Sequence, residues 1–337
     1  MGTAKRSLYI GTTKGLYASE VNGGLSAPRP LGLQSTGGTR CPVVIDSRNP
    51  RRLYAGTGED GVFRSDDGGN SWQQINQGLT FTEIWWIEQH PQTGELYAGT
   101  SPAAVFKSID GGDSWADCPR LRAMPETRDW TFPPPPHIAH VKGLALTPGD
   151  PKRVLGAVEE GWIIRSTDGG ETWEDIKAGT EFDSHSVTVM PDDPRVVIST
   201  SGTGIYKSID GGDSFAPAHS GMTERYMTQI ALHPSRPKLL LTAAAAVPPP
   251  GWRRPEGAEA GFYRSEDQGE SWQRLRGGLP EHITAAPRFI TGDPNDADCF
   301  LIGMNDGSVW LTPDRGDSFE LALSGLPPVT SLRLASE

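Results

Sequence analysis

Apolar and polar residues alternate along this chain in short runs, each bounded by glycine, proline, aspartate or asparagine. That pattern predicts strands rather than helices. One unit shows the order. Ile84-Trp85-Trp86-Ile87 reads as a strand, and His90-Pro91-Gln92-Thr93-Gly94 as a turn. Leu96-Tyr97-Ala98-Gly99-Thr100 is a second strand, and Val105-Phe106-Lys107-Ser108 a third. An aspartate turn and a short fourth strand complete the unit. A four-stranded antiparallel meander of this size cannot bury both of its faces, so neighbouring units must stack. Stacking around an axis predicts an all-β fold, a β-propeller.

The aspartate turn sets the repeat. It reads SDDGGNSW at Ser65–Trp72, SIDGGDSW at Ser108–Trp115 and STDGGETW at Ser166–Trp173. Further copies read SIDGGDSF at Ser208–Phe215, SEDQGESW at Ser265–Trp272 and TPDRGDSF at Thr312–Phe319. An aspartate in such a hairpin accepts backbone N–H bonds, glycine supplies positive φ, and the aromatic residue packs over the turn. Calcium binding would require several carboxylates at alternating positions, which only some copies offer.

The ends of the chain give the blade count. Leu8-Tyr9-Ile10-Gly11-Thr12 matches Leu53-Tyr54-Ala55-Gly56-Thr57, so the chain enters at the second strand of a blade. Val21 stands where the other copies have aspartate. Val329–Leu334 reads as a lone first strand, and it is expected to complete the N-terminal blade and close the ring. Seven blades follow, in one domain over residues 1–337. Blade 1 takes 7–35 plus 328–335, blade 2 takes 36–80, blade 3 takes 81–125 and blade 4 takes 137–180. Blade 5 takes 183–220, blade 6 takes 225–280 and blade 7 takes 283–325.

These turns resemble the Asp-box or BNR repeats of sialidases, other glycoside hydrolases, sortilin-type receptors and the photosystem II assembly propeller. The resemblance extends to WD40/YVTN/BNR-like repeat proteins in general. It implies a propeller whose ligand site lies on the face opposite the Asp boxes. It leaves the activity open, because enzymes and non-enzymes share the turn. A sialidase needs an arginine triad, a tyrosine nucleophile with a glutamate partner, and an aspartic acid. Tyr226, with Arg40, Arg225 and Arg288, imitates part of that set, but the family's Arg-Ile-Pro segment is absent and sialidases use six blades. Sialidase activity proper is therefore not expected.

Two departures from the period point to the same face. The Asp-turn spacing is stretched by roughly fifteen residues at Asp117–Ala139 and again at Ala243–Gly261. The first stretch joins blades 3 and 4, and the second joins the middle strands of blade 6. Both connections leave the ring away from the Asp turns, where long proline-stiffened loops build sites. Aligning the innermost strands on their turn prolines brings Glu83, Trp85, His140, Lys142, Asp183, His185 and Tyr226 to that end of the channel. Strand alternation places them on one side of their strands, in line with apolar Ile87, Leu144, Val187 and Ile230. Glu83, His140, Asp183, His185 and Tyr226 are the candidate catalytic groups, since crowded carboxylates and imidazoles shift one another's pKa. Trp85, Arg128, Trp130, Lys142, Glu159, Trp252 and Arg288 are candidate ligand contacts. A hydrogen-bonded plug closing the channel is the structural alternative.

No cofactor is expected. His140 and His185, with Glu83 or Asp183, also offer a divalent-metal set, although strand alternation points the His137 and His140 rings to opposite sides. The net charge of −11 does not suit nucleic acid or an anionic membrane. The three cysteines, Cys41, Cys118 and Cys299, form no disulfide or metal pattern. Neither a signal peptide nor a membrane-length apolar run is visible, so a soluble cytoplasmic protein is expected. The favoured expectation is a glycosyl hydrolase-like hydrolase or lyase for a small polar or carbohydrate ligand. The alternative is a non-catalytic scaffold that binds a protein partner or assists assembly.

Overall fold

The computed structural model describes residues 6–21, 24–34 and 36–336. Seven four-stranded antiparallel sheets stand in a ring, a seven-bladed β-propeller. In blade 1 the innermost strand is Val329–Ser336, paired with Arg6–Thr12 through Leu334↔Leu8 and Leu332↔Ile10. This pairing joins the two ends of the chain. The core lies between blades: Ile84, Ile87, Tyr54, Leu96 and Phe106 are fully or almost fully buried. Among the described residues no helix is long and apolar enough to cross a membrane.

The Asp turns are built alike. Asp110 accepts from the hydroxyls of Ser108 and Ser114, at 2.8 and 2.6 Å, and from the Ser114 N–H at 2.9 Å. The Ser108 hydroxyl accepts in turn from the Gly112 N–H. The Ser114 bonds lead in holding Asp110 down at about 2, so the turn carries a fixed negative charge.

The turn aromatics do more than cover their own hairpins. Trp72 Nε1 donates to Leu31 O, Trp115 to Ile75 O and Trp272 to Ala218 O, each in the preceding blade. Trp173, whose preceding blade runs on into a helix at Pro119–Arg122, donates to Gly170 O instead. Backbone bonds reinforce the junctions, from Trp115 N to Gln77 O and from Phe215 N to Ala178 O. A glycine meets each of these backbones. Gly179 has φ 73°, and a Cβ there would lie 1.8 Å from Phe215 O.

One feature was hidden from the period-two reading of the innermost strands. Each of six carries a β-bulge, and five of the six skip a residue or two at the same height. The skipped residues are Trp85, Lys142, His185, Thr228 with Gln229, Arg288, and Thr330 in the closing strand. A bulge shifts the alternation by one residue. Below it, Ile87 therefore packs in the core between blades, and Trp86 and Glu88 line the channel. The expectation that Ile87 shares a side with Glu83 and Trp85 fails for this reason.

Candidate functional site at the channel mouth

The bulged side chains meet in a ring of contacts on the face away from the Asp turns. Trp85 lies between the His140 imidazole and the Arg40 guanidinium. Its ring stacks on His140 at 3.4 Å, and the Arg40 guanidinium sits 4.5 Å from the ring centre. Arg40 and the Trp85 N–H both reach Glu83, each at 3.1 Å. Phe132, from the loop joining blades 3 and 4, meets His140 edge-on at 4.7 Å.

Glu159 is the hub. It accepts from His140 Nε2 at 2.7 Å and from Lys142 Nζ at 2.8 Å, and His185 Nε2 lies 3.7 Å away. Burial opposes its charge. Lys142, the His140 hydrogen bond and His185 outweigh that and hold Glu159 well below the ordinary carboxylate range. Burial also holds His140 below the ordinary histidine value, despite the Glu159 carboxylate. His140 is therefore neutral and donates through Nε2.

His185 is completely enclosed. Its Nδ1 donates to Met227 O, and its Nε2 faces Asp183 Oδ1 at 3.1 Å. Tyr226 stands 5.0 Å from the His185 ring and 5.9 Å from the Trp252 ring. Burial first, then Glu159 and Asp183, push the Tyr226 phenol above its ordinary value, so it stays protonated. Arg288 lies over Trp252 at 5.6 Å. Burial pulls its guanidinium below the ordinary value, with Glu159 and Tyr226 pulling the other way.

The structure thus brings together Glu83, Trp85, His140, Lys142, Glu159, Asp183, His185, Tyr226, Trp252 and Arg288. Two expected ligand contacts lie elsewhere. Arg128 is exposed on the loop. Trp130 packs against the core of blades 3 and 4 and against Gly161. Of the three arginines that imitate a sialidase set, Arg40 and Arg288 reach the mouth and Arg225 stays exposed. Arg40 and Phe132 complete the ring, and period reading gave Phe132 no signal because it lies in an irregular insertion. The possible metal donors differ from the expected pair. Ligand atoms of Glu159, Asp183 and His185 lie within 4.8 Å of one another, while His140 is bound to Glu159 and covered by Trp85. Lys142 already balances the Glu159 charge there.

Residues 164–175 match the BNR/Asp-box repeat. The chain is a seven-bladed propeller, and one of its turns matches the BNR/Asp-box repeat. No curated protein compared with it gives a match. Solved structures do resemble this propeller. An ancestral GH74 enzyme superposes with a TM-score of 0.64 at 18% identity, covering 87% of this chain and 38% of that one. A GH74 enzyme of Niastella koreensis gives 0.66 at 17% identity, over 85% of this chain and 45% of that one. YCF48 bound to a D1 peptide gives 0.55 at 15% identity, over 85% and 82%. This propeller spans less than half the length of either GH74 enzyme. At such identities the likeness is one of fold.

Proposed function

We propose that this propeller binds a small anionic, sugar-like ligand at the mouth opposite its Asp turns and acts on it as a glycosyl hydrolase-like hydrolase or lyase. One observation carries the reading. Arg288 is half-buried at the mouth, makes no hydrogen bond or ion pair among the described residues, lies over the Trp252 ring, and feels Glu159 only from beyond ion-pair distance. A desolvated cation without a counter-ion is costly, and an incoming carboxylate offsets that cost. At the mouth Arg40 pairs with Glu83 and Lys142 with Glu159, which leaves Arg288 as the cation there with no ion pair. Tyr226 and Trp252 supply aromatic walls of the kind that sugar rings stack on.

The roles divide by access. Glu83 and Asp183 are the carboxylates open to a ligand, with side chains 35% and 33% exposed. Asp183, braced by His185, is the proposed proton donor and acceptor, and Glu83 is its partner. His140, Glu159 and Lys142 are enclosed, and they position the rest. Their mutual saturation is what favours the second reading, a binding propeller without chemistry.

Calorimetry and turnover assays with glucuronate- and galacturonate-containing oligosaccharides test both readings. Arg288→Gln should keep the fold and weaken binding about tenfold or more. Asp183→Asn should keep binding and abolish turnover. If Asp183→Asn changes nothing while Arg288→Gln weakens binding, the scaffold reading stands. Equal binding by Arg288→Gln and the parent sinks both.

A further inference from the structure

The channel continues below the bulges as a separate cavity of about 490 Å3 that runs down to Ser47, Pro91 and Pro148 on the Asp-turn face. None of the mouth residues lines it. Its upper end carries Trp86 and Phe289, whose rings stack at 6.3 Å with an interplanar angle of 22°. Ala145, Ala231 and Phe289 add apolar surface to its walls, and Ser186, Thr188 and Thr291 add polar surface. Two charged residues line it, Glu88 from blade 3 and Arg333 from the closing strand.

These two charges feel each other without touching. Burial pushes the Glu88 carboxyl above its ordinary value and Arg333 opposes that shift, yet no ion pair joins them, so a cation placed beside Glu88 would favour its ionised form. Glu88 accepts one hydrogen bond, from Trp86 Nε1 at 3.3 Å, and among the described residues Arg333 has no partner. An acceptor and a donor of opposite charge thus face one stretch of the channel beside an aromatic surface. A ligand that satisfies both must itself carry a cation and an anion. Singly charged molecules would leave one protein charge desolvated and unmatched.

We propose that this cavity is a binding site for a free α-amino acid with an apolar side chain, its ammonium on Glu88, its carboxylate on Arg333 and its side chain against Trp86 and Phe289. The volume lies within the usual range for small-molecule sites. Thr188, Gln229 and Thr291, from blades 5, 6 and 7, also line the cavity and offer further polar contacts. The site is independent of the reading given to the mouth, since the two share no residue.

The test is calorimetry on the full chain with L-phenylalanine, phenethylamine and 3-phenylpropionate. The last two lack the carboxylate and the ammonium respectively. Phenylalanine should bind, and each analogue should bind at least about tenfold more weakly. Glu88→Gln should remove the preference for phenylalanine over phenylpropionate, and Arg333→Gln the preference over phenethylamine. Melting curves check that each variant is folded, and Thr188→Val serves as a milder second probe of the same cavity. Failure of phenylalanine to bind, equal binding of an analogue, or unchanged binding by both folded charge variants overturns the proposal.

Discussion

Glu159→Gln is the sharpest probe of how the mouth is held together. The substitution keeps the shape and one carbonyl acceptor but removes the charge that Lys142 and His140 share. Breaking a buried pair costs about 3–5 kcal/mol, chiefly because the remaining charge stays buried. The lower end applies here, since the Lys142 side chain is 24% exposed and Gln still accepts one hydrogen bond. At roughly 2.1 cal/mol/K of unfolding entropy per residue, a chain of 337 residues loses about 4 °C of Tm for about 3 kcal/mol. Calorimetry or near-ultraviolet circular dichroism would measure that fall. Adding Lys142→Met to Glu159→Gln should return part of the loss, because the orphaned ammonium is then gone. An unchanged Tm in Glu159→Gln, or a double variant less stable than the sum of its singles, would refute the ion-pair account of the mouth.

Other expectations follow from the same geometry. Asp168→Ala removes bonds from the Ser166 and Thr172 hydroxyls and the Thr172 N–H, and should cost about 1–3 kcal/mol in urea unfolding, with ligand binding at the mouth unaffected. Trp115→Phe keeps the ring but loses the bond to Ile75 O, so a smaller loss of about 1 kcal/mol is expected in the same assay. The pH dependence should be one-sided. His140 is held below its ordinary value, so its contribution is present above about pH 6.5 and is lost as the pH falls and the unfolded chain takes up the proton. Glu159 adds a second loss, beginning below the ordinary glutamate range and running down through its depressed folded value. Melting temperatures from pH 8 to pH 2 should therefore fall only on the acid side. Glu159→Gln should remove the lower step, and a Tm that rises on acidification would contradict both assignments.

The blades and their closure were legible because they rest on local chemistry. Ser-x-Asp-x-Gly-x-Ser-Trp carries its own hydrogen bonds, and Leu8–Thr12 repeats Leu53–Thr57 closely enough to show a blade entered at its second strand. The mouth was legible only in part. Aligning on Pro91, Pro148 and Pro191 brought Trp85, Lys142 and His185 to one height, and the bulges at these three residues agree. It could not foresee the bulges, which depend on how two strands pair and leave no mark in either strand alone. For that reason Glu88 and Trp86 went unnoticed, and Ile87 was placed on the channel side. Glu159 looked like one more charge in a polar turn, Val-Glu-Glu-Gly. Only the approach of His140, Lys142 and His185 from two neighbouring inner strands makes it a hub. Trp130 failed in the opposite sense. A tryptophan in a polar insertion suggested a ligand contact, but blade 4 offered it an apolar bed.

The tryptophan bonds between successive blades make the ring unequal around its circumference. Blade 1 has Val21 where the others have the Asp-turn carboxylate. Its junction with blade 7 relies on the closing strand, its apolar contacts and the pair between Arg6 and Asp293. The seam of the molecule lies within blade 1, where the pairing of Val329–Ser336 with Arg6–Thr12 holds the two ends of the chain together. Amide protons of Val329–Ser336 should exchange before those of the innermost strands elsewhere, and a force applied across both chain ends should part the ring there while the other junctions hold.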